Sequence, residues 1–216
     1  MSGKTARLEL QGIDFQYGTS RIVHSRWSGR FHAGEITALT GPSGSGKSTL
    51  LYIAGLLLSP TSGHVLVDGL QLDSLSDRRK AWSRAHRYGF VFQDAALDSS
   101  RTVLDNIIES ALYRGDNQRD SISRALFLIE WLGVDVDPLR RPGEISGGQA
   151  QRISLCRALL GSPDIVVADE PTGNLDVESS KKVMGALRFA ADQGAAVVVA
   201  THDLQFAAAS DKVYRL

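Results

Sequence analysis

Nine consecutive residues, Gly41-Pro42-Ser43-Gly44-Ser45-Gly46-Lys47-Ser48-Thr49, match the spacing G-x-x-x-x-G-K-[ST]. An apolar run from Ile36 to Leu39 precedes them and the helix-like Leu50-Leu51-Tyr52 comes after, which is the strand-to-helix context that gives the spacing meaning. Glycines let the backbone turn until successive N–H groups point inward at a phosphate, and the start of a helix adds a favourable partial charge. In such a loop Lys47 would reach the β- and γ-phosphates of a nucleotide, and the Ser48 hydroxyl would hold magnesium. A Gly/Ser-rich turn without a ligand would not require every fixed position to match.

Asp169 and Glu170 stand where the apolar run Ile165-Val166-Val167-Ala168 stops. Ligands of open α/β sheets bind at such strand ends, so Asp169 is placed to complete a magnesium shell and Glu170 to polarise an attacking water. An isolated Asp-Glu pair reads as a charged turn; beside a phosphate loop it reads as chemistry. His202, in Thr201-His202-Asp203, comes after another apolar run, Ala196 to Ala200. A neutral imidazole there could donate to a γ-phosphate oxygen or position water, although a histidine at a strand end is more often a satisfied structural residue. His24, His32, His64 and His86 lack that context and read as structural. Ser146-Gly147-Gly148-Gln149, ahead of a segment with helical apolar spacing from Arg152 to Leu160, is a second backbone phosphate nest. One triphosphate does not fill two such nests in a compact chain, which points to a nucleotide held by another copy.

The elements that must position these residues differ between the middle of the chain and its ends. The runs Ile36 to Leu39, Ile165 to Ala168 and Ala196 to Ala200 are nearly continuous in apolar character, as suits strands covered on both faces in a parallel sheet. Leu8-Glu9-Leu10 with Ile13 and Phe15, and Val65-Leu66-Val67, predict strands of a more exposed antiparallel layer. Val103, Leu104, Ile107, Ile108, Ala111 and Leu112 have helical spacing, as do Ile122, Ala125, Leu126, Ile129 and Leu132, with breakers between and after them. A helical insert over 94–154 therefore interrupts an α/β core. The length, 216 residues, fits one domain of ordinary globular composition, 43% hydrophobic and 22% charged. Twenty-four basic and 24 acidic side chains balance to zero, which argues against a chain held on nucleic acid by bulk electrostatics. A single cysteine, Cys156, excludes an intramolecular disulfide and a zinc site of paired thiols. The longest apolar candidate, Leu50 to Leu58, is too short to span a bilayer, and the N-terminal MSGKTARLEL lacks the apolar core of a signal peptide.

Taken in order, these motifs resemble those of the nucleotide-binding subunits of ATP-binding cassette (ABC) transporters over essentially the whole chain. The resemblance implies an α/β fold, a P-loop NTPase core of ABC type with an antiparallel β layer and an inserted α-helical subdomain. It implies one domain over 1–216, with 1–93 and 155–216 as the ATP-binding core and 94–154 as the helical signature subdomain. By that likeness Tyr17, with Gly18 next to it, stacks on adenine, and Gly41 to Thr49 is the phosphate loop. Gln93, in Phe90-Val91-Phe92-Gln93-Asp94, is the glutamine-loop residue, a magnesium ligand that takes part in catalysis. Ile145 to Gln149 corresponds to a signature motif, with isoleucine in place of leucine, that binds the other copy's nucleotide. Asp169 holds magnesium, Glu170 is the catalytic carboxylate, Asn174-Leu175-Asp176 is the D-loop with Asp176 at the nucleotide, and His202 is the switch histidine.

Asp-Glu-Pro-Thr-Gly-Asn-Leu-Asp, from Asp169 to Asp176, is similar to the form found in stand-alone ATPases of lipoprotein release, macrolide and haem efflux, antimicrobial-peptide resistance and cell division. The resemblance thus implies ATP and Mg2+ as ligands, a head-to-tail dimer with a second copy, and integral membrane permease subunits as partners, with no nucleic acid. It implies a peripheral position at the cytoplasmic face of the cell membrane. The alternative within it is a regulatory ATPase that moves a membrane partner without cargo, as in cell division. A DNA-repair or chromosome-organising ATPase would insert coiled coils or zinc modules between Lys47 and Ser146, and no sustained heptads stand there. One departure from the branch is the run Asp94-Ala95-Ala96-Leu97-Asp98-Ser99-Ser100 after Gln93, where relatives often carry bulky apolar residues toward the membrane subunit. Arg78, Arg79, Lys80, Arg84 and Arg87 read as a solvated helix face. Trp27, Trp82 and Trp131 read as core or interface residues, and Cys156 as a small buried apolar group.

Overall fold

The alternating runs near the start of the chain and the three nearly continuous apolar runs fall in two different sheets. The computed structural model describes residues 6–17, 22–173 and 175–216, so Gly18 and Asn174 lie outside the described residues. Strands β1 (Ala6–Gln16) and β2 (Ile22–His32) open the chain, and β3 (Ile36–Thr40) leads into helix α1 (Lys47–Ala54). Strands β4 (Ser62–Val67) and β5 (Leu70–Gln71) complete an antiparallel sheet of order β2-β1-β4-β5. Leu8 and Leu10 sit opposite Val67 and Val65 and are fully buried, while the residue between them faces outward, as the two-residue period requires.

Helix α2 (Asp77–Arg87) leads to β6 (Tyr88–Val91), and helices α3 (Val103–Arg114), α4 (Gln118–Trp131) and α5 (Gly147–Leu159) come next. Strand β7 (Ile165–Asp169), helix α6 (Val177–Asp192), strand β8 (Ala196–Ala200), helix α7 (Leu204–Ala208) and strand β9 (Lys212–Arg215) end the chain. The second sheet is parallel throughout, in the order β6-β7-β8-β3-β9. Every residue of β7 and of β8 is buried. Their alternation divides the interior in two. Val166, Ala168, Val197 and Val199 face a core with Ile107, Ala125, Leu155 and Leu187 of the helices. Ile165, Val167, Ala196 and Val198 face the opposite core, with Leu8, Leu10 and Val65 of the antiparallel sheet and Leu50 and Ile53 of α1.

Register then delivers the site. Leu39 of β3 and Asp169 of β7 both lie level with Ala200 of β8, so three strands end on one edge. The phosphate loop leaves β3 at that edge, Glu170 leaves β7, and Thr201-His202 leaves β8.

The helices begin where their sequences say. Thr102 and Asp105 form a capping box on α3, Asn117 accepts from the first turn of α4, and Ser146 and Gln149 form a capping box on α5. Residue 154 falls inside α5, which runs unbroken from the signature segment into the core. Arg78 and Arg79 of α2 are exposed, but Arg84 donates to the Leu56 carbonyl and Arg87 pairs with Asp68 and Asp164, so part of that basic stretch turns inward. Trp27 packs near Phe31 and Tyr214, whereas Trp82 and Trp131 are exposed and lean on His86 and Phe189. Cys156 is fully buried, and burial pushes its thiol up to about 12.

Candidate functional site

The phosphate loop leaves β3 and ends on Gly46, the residue before α1, with φ 91. A Cβ at Gly46 would lie 2.6 Å from Val23 Cγ1 and 2.7 Å from His24 Nε2, so no other residue fits the approach of β2 to the loop. His24 Nε2–H donates to the Gly46 carbonyl at 2.9 Å, and this histidine is buried. Sequence context gives His24 no such role: it braces the last turn of the loop from the antiparallel layer. Lys47 is buried, its ammonium donating to the carbonyls of Gly41 (2.9 Å) and Pro42 (3.0 Å). Ser45 N–H donates to the same Pro42 carbonyl.

Asp169, at the end of β7, is only 2% exposed. Ser48 Oγ donates to its Oδ1 at 3.0 Å and Tyr52 Oη to its Oδ2 at 3.0 Å. Burial pushes the Asp169 carboxyl up and neighbouring Glu170 adds to the rise, against the two hydroxyls and the Lys47 charge. Burial and the Asp169 charge push the Tyr52 phenol up to about 12, so it is a hydrogen-bond donor at neutral pH. No motif singles out Tyr52, although it stands four residues after Ser48 and so on the same face of α1.

Glu170 adopts φ 45, a left-handed conformation for a residue with a side chain, while its N–H donates to the Ala200 carbonyl at 2.9 Å. Its Oε2 accepts from Thr201 Oγ1 (3.2 Å) and His202 N–H (3.3 Å), and its Oε1 accepts from His202 Nδ1–H at 2.8 Å. A carboxylate only accepts, so the proton of a neutral His202 ring sits on Nδ1 and Nε2 is left as an acceptor. Donation from His202 to a phosphate oxygen therefore requires a protonated ring or release from Glu170.

Tyr17 is half exposed, its hydroxyl 3.2 Å from Thr49 Oγ1 and its ring edge-on to Phe15. A cleft of about 630 Å³ brings together Tyr17, Ser43, Gly44, Gly46, Lys47, Ser48, Thr49, Gln93, Glu170 and His202. Asp169 lies beneath it, and Gly41 and Pro42 supply the carbonyls that anchor Lys47. The oxygens of Ser48 and Asp169, with the amide of Gln93 on the same cleft, form a hard donor set suited to a divalent cation completed by phosphate and water. Among the described residues there is no group of three or more His, Cys, Asp or Glu that could hold a metal ion.

The signature residues lie elsewhere. Ser146 Oγ accepts from Gln149 N–H, Gln149 Oε1 accepts from Ser146 N–H, and Gln149 Nε2 reaches the Asp135 carbonyl. Nothing comes within 4 Å of a Cβ placed on Gly147, so this glycine faces open space, and none of Ser146, Gly147, Gly148 and Gln149 lines the main cleft. Gly147 instead lines a small hollow of about 200 Å³ with Gln93, Glu170 and Leu175. Asp176 caps α6 by accepting from Ser179 N–H (2.8 Å) and Oγ (2.9 Å), and those bonds hold its carboxyl below the usual range. Behind Gln93, Gln151 donates to the Phe92 carbonyl and Arg157 to the carbonyls of Ala95 and Ala96.

A family model described as "ABC transporter" matches residues 25–173. The lipoprotein-releasing system ATP-binding protein LolD of Shewanella denitrificans is 44% identical over 84% of this chain and 78% of that protein. LolD of Hyphomonas neptunium is 38% identical over 97% of this chain and 93% of that protein. The macrolide export ATP-binding/permease protein MacB of Pasteurella multocida is 38% identical over 95% of this chain but only 32% of its own length. A dimeric structure of MJ0796, a bacterial ABC transporter cassette, superposes with a TM-score of 0.90 at 31% identity, over 97% of this chain and 94% of that one. A second structure of that cassette, in a post-hydrolysis state bound to ADP and Pi, gives a TM-score of 0.90 at 30% identity over the same shares.

Proposed function

The chain belongs to the ABC transporter family and is an ATPase of it, and from that premise we propose how it works: as a head-to-tail dimer closed around two ATP molecules that drives a separate membrane permease. One observation carries the reading: Lys47, Ser48, Glu170 and His202 meet in one cleft, while the Ser146-Gly147-Gly148 nest lies outside that cleft and is left for the nucleotide of another copy. Tyr17 offers an aromatic face to adenine at the cleft mouth. Lys47 moves from the loop carbonyls to the β- and γ-phosphates, as a charge-assisted contact to an anion outweighs one to a neutral carbonyl.

Ser48 and Asp169, with Gln93 beside them, would hold magnesium, which when bound would neutralise charge developing between the phosphates. Glu170 takes a proton from the water that attacks the γ-phosphorus as the bond to the ADP oxygen breaks, and His202 holds that carboxylate in place. Asp176 and Ser146 act across the dimer.

The permease is the partner that places the chain at the cytoplasmic face of the membrane; among the described residues no helix is long and apolar enough to cross one. A groove of about 570 Å³, lined by Trp82, Phe92, Tyr113 and Arg157, adjoins the segment after Gln93 and suits a helix of that permease. The sequence of Asp169 to Asp176 and the names of the relatives favour export or mechanical transmission, with lipoprotein, macrolide, haem or peptide as cargo class.

Complementation tests the shared sites. Lys47→Ala and Ser146→Arg chains should each be inactive, yet their mixture should regain hydrolysis, because one composite site joins an intact phosphate loop to an intact signature. A mixture no more active than its components overturns the reading.

A further inference from the structure

We propose that Tyr52 is a positioning residue for the metal side of the site: its phenol fixes the carboxylate of Asp169 from behind, so that the other oxygen stays turned toward Ser48. The inference rests on the nucleotide-site reading above and extends it to a residue outside the matched motifs.

Ser48 and Tyr52 stand one turn apart on α1, and their hydroxyls donate to different oxygens of one carboxylate, each at 3.0 Å. The Asp169 side chain rotates freely in principle, and Ser48 alone would fix only Oδ1. Tyr52 supplies the second point and so sets the plane of the carboxylate. It does so from outside the cleft wall, which includes Ser48 and not Tyr52. The Ser48 hydroxyl faces the ligand and is the bond that nucleotide and cation disturb; the Tyr52 bond faces away and persists. The ring is itself held, 6.3 Å from Phe92 and tilted against it, and Phe92 is the residue before Gln93. One side chain thus touches Asp169 and abuts the residue that precedes Gln93. Removing the phenol oxygen leaves a buried carboxylate oxygen without its donor, free to turn away from the site.

The test is equilibrium binding of a fluorescent ATP analogue to the purified full chain, titrated with Mg2+ and repeated in EDTA. Tyr52→Phe removes one oxygen and keeps the ring against Phe92. It should raise the Mg2+ concentration needed for half-maximal binding about 10–100-fold, the usual loss when the partner of a metal-side ligand is removed. Binding in EDTA should stay near wild type, and the thermal midpoint should fall by only a few degrees, the cost of one buried acceptor left without its donor. In an Asp169→Asn background the same change should leave the remaining Mg2+ dependence unmoved, because the effect runs through that carboxylate. An unshifted Mg2+ titration in Tyr52→Phe overturns the proposal, as does equal weakening with and without Mg2+, which would mark Tyr52 as packing only. A wild-type chain that binds the analogue without any Mg2+ dependence would instead bring down the site reading itself.

Discussion

Lys47 enters the free state already engaged: its ammonium is out of water and bound to two carbonyls of the loop it belongs to. The charge therefore shapes the cradle before any phosphate arrives. Lys47→Ala removes both the cradle's internal bonds and the cation, and a hydrogen bond to a charged group contributes about 1.5–3 kcal/mol. ATP affinity should fall by at least tenfold in calorimetric titration, and hydrolysis with it; near wild-type binding would show that another cation holds the phosphates. Asp169 presents the opposite case, a charge kept ionised against its surroundings. Its carboxyl is pushed up by burial, so ionisation opposes folding at neutral pH, and the penalty is absent where the group is protonated. Asp169→Asn should then raise the melting temperature of the nucleotide-free chain at pH 7 by about 2–4 °C, the effect of ~1 kcal/mol in a domain of this size. The gain should shrink as pH falls into the carboxylate range, while the Mg2+ dependence of ATP binding is weakened but not abolished, Ser48 and Gln93 being intact. A variant that melts below wild type at pH 7 would mean the carboxylate is stabilising as it stands. Types and spacing make Lys47, Ser48, Asp169 and Glu170 legible from the sequence because each sits in a local run with few other meanings. His24 and Tyr52 are not legible, since a lone histidine and a tyrosine acquire their roles only through contacts with residues 22 and 117 positions away.

Elements translate these residues into a site, and here the signals that work are continuous burial and helix starts. The β3, β7 and β8 runs announce a parallel sheet, and once they are paired, their carboxyl ends must share an edge. Strand order within that sheet is a matter of long-range pairing and cannot be read from any window of sequence. The inward turn of Arg84 and Arg87 escapes for the same reason, because their partners Leu56, Asp68 and Asp164 are far from α2 in sequence. Helix α5 carries two duties, starting at the signature and gripping the loop after Gln93. Ser146→Arg should separate them. It removes a capping box, which costs about 0.5–2 kcal/mol of stability, yet leaves the main cleft untouched. Thermal unfolding should show a small loss, ATP binding to the isolated chain should persist, and hydrolysis should vanish; lost binding would place Ser146 in the chain's own site. At the other end, Ala95 and Ala96 hold φ of 57 and 47, which an L-residue adopts at a cost of about 1–2 kcal/mol. Arg157, donating to both carbonyls, offsets that strain. Arg157→Gln should release the segment, seen as faster amide hydrogen exchange at residues 94–97 with little change in the helices; unchanged exchange would mean the backbone holds itself.

At the scale of the whole molecule, the proposed function makes a chain with its phosphate nest in one cleft and its signature nest outside that cleft incomplete for hydrolysis until a second copy covers it. ATP, bound by a single chain and more tightly by two, then stabilises the dimer by mass action to the extent that its affinity for the assembled form exceeds that for one chain. Hydrolysis continually dissolves that dimer, so the way to see it is to stop the chemistry without disturbing the site. Glu170→Gln suits this purpose. The amide oxygen can still accept from His202 Nδ1–H and Thr201 Oγ1, and Lys47, Ser48 and Asp169 are unaltered, so the cleft keeps its shape. The proton acceptor is gone, and turnover should fall about 10²–10⁴-fold, the worth of a positioned general base. With Mg-ATP in excess, light scattering behind size-exclusion chromatography should show a species of twice the 23.3 kDa chain mass. ADP should not produce it, because without the γ-phosphate the outer nest has nothing to hold. Dilution of ATP should return the monomer slowly, as the dimer must open before the enclosed nucleotide can leave. The comparison with Ser146→Arg,Glu170→Gln fixes the cause: if the dimer is closed by the signature, the double variant stays monomeric while still binding ATP, with the weaker affinity of a single chain. A Glu170→Gln chain that binds Mg-ATP tightly yet remains monomeric would show that one copy does not close on another unaided, and that the membrane partner must bring the two cassettes together.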